Sequence, residues 1–267
     1  MRRSHCVLLA AVAVFGFASI ASAAPVSNAP VAAPVYNWTG FYLGVQGGAA
    51  SSVFTTSEQA SFSTNSNAGA ISAKDSSGEV GIYGGYNYQT SQGFILGGEA
   101  DFNWTRLSAV TDPFALVSGS GTCTSLASTQ MCVGPVTSNI NWYGTVRGTV
   151  GHTAGRLLLY ATGGLAYGEV GSSVAGTLKV ATTTLPPFDV RESAVRYGWT
   201  AGLGTAVKVT DKVSLRLQWN YVDLGPRTIF ATSGSVNPGG GPVPFSVSVK
   251  NEITFNTVRA GLAFQFP

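Results

Sequence analysis

From Phe94 to Trp104 every second position is apolar or small: Phe94, Leu96, Gly98, Ala100, Phe102 and Trp104. The intervening positions include Glu99, Asp101 and Asn103. An extended chain sends successive side chains to opposite faces, so this stretch has one greasy face and one acidic face. The same alternation recurs near 39–50, 78–90, 138–151, 156–171, 193–209, 212–225 and 251–266, and with 93–106 it predicts eight strands. One face gathers Phe41, Leu43, Val45, Val80, Ile82, Ile140, Trp142, Val146, Leu203, Leu217, Val258 and Leu262. The other gathers Glu79, Glu99, Asp101, Arg147, Arg196, Lys208, Arg216 and Arg259, with Gln46, Asn87, Asn103, Asn141, Tyr143, Gln218 and Asn220.

The links between these segments sort by length. Those at 91–92, 152–155 and 210–211 are tight turns, whereas 51–77, 107–137, 172–192 and 226–250 are long, polar and rich in Ser, Thr, Gly and Pro. Short and long links alternate strictly, as in outer-membrane barrels with short turns at one end and long loops at the other. Composition points the same way, because charged residues make up 10% of the chain against about a quarter in a typical soluble domain. Beyond the amino terminus no apolar run reaches the roughly 18 residues of a membrane helix. The closed β-barrel is the other architecture that satisfies every backbone group in lipid. The expected fold is therefore all-β, an eight-stranded antiparallel transmembrane β-barrel with an N-terminal signal peptide.

The signal peptide is expected over 1–23, where Arg2 and Arg3 precede an apolar run ending in Ala21-Ser22-Ala23. An Ala/Pro-rich periplasmic leader follows over 24–37, and the barrel occupies 38–267. Loss of Arg2 and Arg3 brings the formal charge of +3 close to neutral, which gives no electrostatic ground for a nucleic-acid partner. Two cysteines remain, Cys123 and Cys132, in a Gly/Ser/Thr-rich stretch. In an oxidising compartment they are expected to form a disulfide, since the spacing is not Cys-x-x-Cys and no histidine is near.

An eight-stranded barrel has an interior just wide enough for side chains to fill. Charges confined there must pair, so Glu79, Glu99 and Asp101 are expected to meet Arg147, Arg196, Arg216 and Arg259 in a lumen ion-pair network. Ile253 and Phe255 fall out of phase with the outward run Val258 to Phe266. Either a bulge near Asn256 or an extension of the strand above the membrane would account for that.

Trp38-Thr39-Gly40-Phe41-Tyr42-Leu43-Gly44, followed by Gln46-Gly47-Gly48, resembles the opening of the alphaproteobacterial outer-membrane immunogenic (surface antigen) proteins. The stretches 81–89 and 256–264 are similar to that family's second and last strands. The resemblance covers 36–266 and implies a small OmpA-like barrel, surface exposed, with no catalytic residue to carry over. Such barrels end on an aromatic residue read during assembly. That role is expected of Phe264 and Phe266, although here Pro267 follows. The expected partners are outer-membrane lipids and lipopolysaccharide, the outer-membrane assembly machinery and periplasmic chaperones, with a host surface or small ligand at the loops as an alternative.

Motifs for chemistry are scarce. Beyond the signal peptide His152 is the sole histidine and falls in a tight turn, so no His-based triad or zinc site can be built. Gly239-Gly240-Gly241 lacks the Gly-Lys-Ser/Thr ending of a phosphate loop. No cofactor and no enzymatic activity are expected. A structural role in envelope integrity with exposed antigenic loops is the leading reading. A narrow porin-like channel and a loop-mediated adhesin are the alternatives.

Overall fold

Alternation over these segments builds eight long antiparallel strands. They are β1 (Gly40–Phe62), β2 (Asn65–Gln89), β3 (Phe94–Thr111), β4 (Met131–Ala154), β5 (Leu157–Val180), β6 (Phe188–Lys208), β7 (Val213–Val236) and β8 (Val243–Gln265). A computed structural model of the chain describes residues 36–62, 65–111, 115–116, 131–180, 183–184, 188–237 and 241–266. The signal peptide, leader residues 24–35, Cys123 and Pro267 lie outside the described residues, and with Cys123 goes the expected disulfide. Each strand pairs with the next, and β1 pairs with β8 from Tyr42 opposite Gln265 to Phe62 opposite Phe245. Over the lower parts of the strands the sheet closes into a ring, the condition for strands to cross lipid, whereas in the extensions 65–78 of β2 pairs with β1 alone and 224–236 of β7 with β8 alone.

The tight turns fall where alternation stops. Thr90 accepts from Gly93 N at 3.0 Å, and Gly93 adopts a left-handed φ of 83° that favours glycine. The opposite end differs from the sequence reading, because the links 51–77 and 226–250 are mostly strand. A tilted strand crosses a bilayer in about 9–11 residues, so strands of 23 to 25 residues run far beyond it. Outward positions there are polar, such as Ser51, Ser72, Ser76 and Ser108, so no lipid-facing signature marked them as strand.

Lower on the strands the outward face is aliphatic and aromatic. Leu165 is 68% and Tyr197 77% exposed, a degree of apolar exposure that water would not tolerate over a contiguous belt and lipid would. Two outward or inward assignments are corrected. Ile140, expected on the lipid face, is fully buried inside, and Asn141, expected inside, is exposed. A register shift between Ile140 and Trp142 inserts one extra residue and inverts parity across it. In β8 the alternation of buried and exposed positions continues unbroken through Asn256. Ile253 and Phe255 thus point inward because the strand extends, and the irregularity facing them lies on β7, where Gly225 has φ 69°.

The interior is layered. Trp38, Ile95, Leu158 and Ala206 pack at the tight-turn end. Charged and amide side chains come next. Above them sits an apolar plug of Phe54, Leu107, Ile140, Tyr143, Leu224, Ile253 and Phe255. Val136, Val174, Ile229 and Val249 form a further apolar cluster in the extension.

Candidate functional site

The charged layer is built across strands. Register sets Glu99 of β3 directly opposite Arg147 of β4. Arg147 Nη2 lies 2.5 Å from Glu99 Oε1 and 2.6 Å from Asp101 Oδ2, and its Nη1 donates to Asn220 Oδ1 at 2.8 Å. From β7, Arg216 Nη1 reaches Glu99 Oε2 at 2.5 Å and its Nη2 donates to Gln46 Oε1. From β8, Arg259 sits 3.5 Å from both Glu79 and Asp101. Hydroxyls complete the carboxylates: Tyr42 donates to Glu99 at 2.9 Å, Thr145 to Asp101 at 2.8 Å and Tyr143 to Glu79 at 2.5 Å. Three carboxylates thus face three guanidiniums, so the layer is neutral as a unit, with all six side chains buried. In low dielectric that neutrality is required, since an unmatched buried charge costs several kcal/mol.

An aromatic and aliphatic outer belt, an ion-paired interior and a closed eight-strand ring are the features of a small outer-membrane barrel. The outer membrane protein beta-barrel domain family matches residues 10–266 of the chain. The chain belongs to that family. Among its relatives, the 31 kDa outer-membrane immunogenic protein of Brucella melitensis biotype 1 is 32% identical over 276 residues, which span 97% of this chain and 99% of the relative. The 22 kDa outer membrane protein of Rhizobium leguminosarum bv. viciae is 27% identical over 79% of this chain and 76% of its own length. The crystal structure of the outer membrane protein OprG from Pseudomonas aeruginosa superposes with a TM-score of 0.40 at 14% identity, over 85% of this chain and 97% of that one. Family membership and these relatives place the protein in the cell outer membrane.

In this outer-membrane barrel Arg196 stands apart from the network expected of it. Its Nη1 donates to the Asn251 carbonyl at 3.1 Å and its Nη2 to Ser172 Oγ at 3.4 Å. Parity along a strand specifies the face but not the height, and Arg196 lies on the far side of the apolar plug from Glu99. His152 is exposed at the tight-turn end, edge-on to Phe94 at 5.0 Å, where no carboxylate of the network reaches it. Phe264 and Phe266 are exposed on the outer face with ring centroids 5.3 Å apart.

Sequence reasoning missed two features of the barrel. The apolar plug was hidden because Ile253 and Phe255 read as out of phase, Ile140 as outward, and Phe54 and Leu107 as parts of links, with Tyr143 alone placed inward; Trp38 turns inward although it precedes the first strand. Outside the membrane-spanning belt, Glu58 is 5% exposed, its Oε2 has no hydrogen-bond partner among the described residues, and burial pushes its carboxyl up to about 7.

Proposed function

We propose that this outer-membrane barrel is a structural surface protein that contributes to envelope integrity, presents its extended hairpins to the exterior and performs no catalysis. The observation that carries the reading is the doubly filled lumen. An ion-paired layer and an apolar plug occupy the same narrow bore, so a solute would have to break both to pass. The acids are equally ill-suited to acid/base work, because Glu99 already accepts from Arg147, Arg216 and Tyr42. On this reading the tight turns lie in the periplasm. The polar strand extensions stand among the sugars of lipopolysaccharide, which their outward serines suit. Phe264 and Phe266 serve as the signal for the assembly machinery, after delivery by periplasmic chaperones.

Purified protein in planar bilayers is expected to be electrically silent, while cells lacking it become more sensitive to detergent. Reproducible conductance steps from the intact protein would sink the scaffold reading in favour of a channel. Unchanged detergent sensitivity would remove the integrity role.

A further inference from the structure

Between the charged layer and the tight-turn end lies a small cavity of about 40 Å³, lined among others by Trp38, Tyr83, Asn87, Tyr160 and Arg216. Five buried polar atoms of these residues have no hydrogen-bond partner among the described residues: Trp38 Nε1, the Tyr83 and Tyr160 hydroxyls, Arg216 Nε and Asn87 Oδ1. Four of the five can donate, and the indole and guanidinium nitrogens can do nothing else. The one acceptor, Asn87 Oδ1, belongs to an amide that presents a donor when turned over. The rest of the Arg216 head is already committed. Its Nη1 meets Glu99 at 2.5 Å, its Nη2 donates to Gln46 Oε1, and its Cζ lies 3.2 Å from the centre of the Tyr83 ring.

Buried polar groups are ordinarily hydrogen-bonded, so what fits this space must accept from several donors at once. A water molecule accepts two such bonds and needs acceptors for its own two protons, of which Asn87 supplies at most one. An anion accepts from all four donors. Charge points the same way. The three carboxylates and three guanidiniums of the charged layer cancel, and Lys208, 1% exposed, adds a positive charge that no carboxylate of the described residues pairs with. Its ammonium donates to the Asp211 carbonyl at 2.7 Å and to Gln265 Oε1, and lies 5.1 Å from the centre of the Trp38 ring. Trp38 and Gln265 both line the cavity, so Lys208 stands directly behind its wall. Glu99 lines it too, but its oxygens accept from Arg147, Arg216 and Tyr42. A buried charge without a counter-charge costs several kcal/mol, which an anion on the near side of Lys208 offsets.

We propose that the cavity is a binding site for one small monovalent anion of the halide class, chloride-sized, held by Trp38 Nε1, the Tyr83 and Tyr160 hydroxyls and Arg216 Nε. Its volume suits a single ion with a water beside it and leaves no room for a larger organic anion. The bound ion neutralises Lys208 and ties Trp38, which precedes β1, to Arg216 of β7 across the bore.

The test uses the full chain, ¹⁵N-labelled, refolded into nanodiscs in sodium gluconate and titrated with sodium chloride at constant ionic strength while the five indole N–H resonances are followed. Trp104, Trp142, Trp199 and Trp219 lie on outward positions and serve as internal controls. The Trp38 resonance alone should shift, and saturably, with bromide reproducing the effect. Tyr83→Phe with Tyr160→Phe keeps both rings, removes two donors and should weaken the apparent affinity by about 10-fold or more. Lys208→Met removes the counter-charge and should weaken it by about 10-fold. Folding of each variant is verified by its heat-modified gel shift. Should a variant fail to fold, crystals of the parent grown in bromide decide, and an anomalous peak among Trp38, Tyr83 and Tyr160 is expected. A Trp38 resonance indifferent to chloride would mean that the cavity holds water only. Five indoles moving together, or unchanged affinity in the folded variants, would reduce the effect to bulk salt. Any of these results, or bromide crystals without that peak, overturns the proposal.

Discussion

Arg147 is the residue on which the charged layer depends most, and its removal tests the neutrality argument directly. Arg147→Met would leave Glu99 with Arg216 and Asp101 with Arg259 at 3.5 Å, and give the layer one uncompensated negative charge. Breaking a buried pair by removing one partner costs about 3–5 kcal/mol, and Arg147 holds two carboxylates at 2.5 and 2.6 Å. The upper end of that range is therefore expected. Glu99→Gln leaves one uncompensated positive charge and should cost about 3 kcal/mol, seen also as a lower heat-modified gel-shift temperature. The double variant restores neutrality, so its cost should fall short of the sum by about 2 kcal/mol. Urea titration in lipid vesicles followed by tryptophan fluorescence measures all three. As a control, Asp189→Asn breaks the exposed Arg191 pair at 3.3 Å and should cost less than about 1 kcal/mol. Additive costs for Arg147→Met and Glu99→Gln, or single costs no larger than the control's, would refute a dry, neutral layer.

Glu58 carries a raised pKa in the fold, so its protonated form is favoured. Stability is highest below the unfolded value near 4.5, declines as pH rises to about 7 and stays low above it. Glu58→Gln should remove up to about 3 kcal/mol of that pH dependence, read as higher amide protection in the β1–β2 hairpin at pH 8 than in the parent and little difference at pH 4. Gly198→Ala would drive its Cβ into the Asp223 carbonyl, whereas at Gly148 the nearest atom is 3.9 Å away. The first should prevent the folded gel band, and the second should raise stability by up to about 1 kcal/mol. Phe255→Ala opens the plug beside Tyr143, whose ring centroid is 4.9 Å away, and should cost about 3–5 kcal/mol in the same urea titration.

The eight strands were legible because lipid enforces one outer chemistry over every crossing, and a period of two survives in the sequence wherever that enforcement acts. The inward parity of Glu79, Glu99, Asp101, Arg147, Arg216 and Arg259 follows from the same rule. Height was not legible. Arg196 shares their parity, yet strand tilt and stagger carry it past the plug, and neither leaves a trace in the composition of β6. The bulge at Asn141 was hidden because one extra residue in a strand changes no residue type. Above the membrane the outer face carries polar residues such as Ser51, Ser72, Lys74, Ser76 and Ser108, as in loops, so the strand extensions passed for loops even while Phe54, Ile253 and Phe255 kept the inward period. Trp38 precedes the alternation altogether, and only its packing under Lys208 reveals its direction.

The order of the layers explains why charges are tolerated in so narrow a bore. Coulomb attraction between two unit charges near 4 Å is about 1 kcal/mol in water and about 4 kcal/mol at the effective dielectric of a protein site. The worth of the Arg147 and Arg216 pairs therefore depends on keeping water out. Trp38 closes one side and Phe54, Ile253 and Phe255 close the other, so the apolar plug acts electrostatically as well as by packing. It follows that Phe255→Ala should weaken the ion pairs that it never touches. In a Phe255→Ala background, water reaching the charged layer would hydrate the orphaned arginines, and Glu99→Gln should then cost less than in the parent, by about 1–2 kcal/mol if the site approaches surface behaviour. Equal costs in the two backgrounds would mean that the layer is already wet, and the plug would then be packing alone.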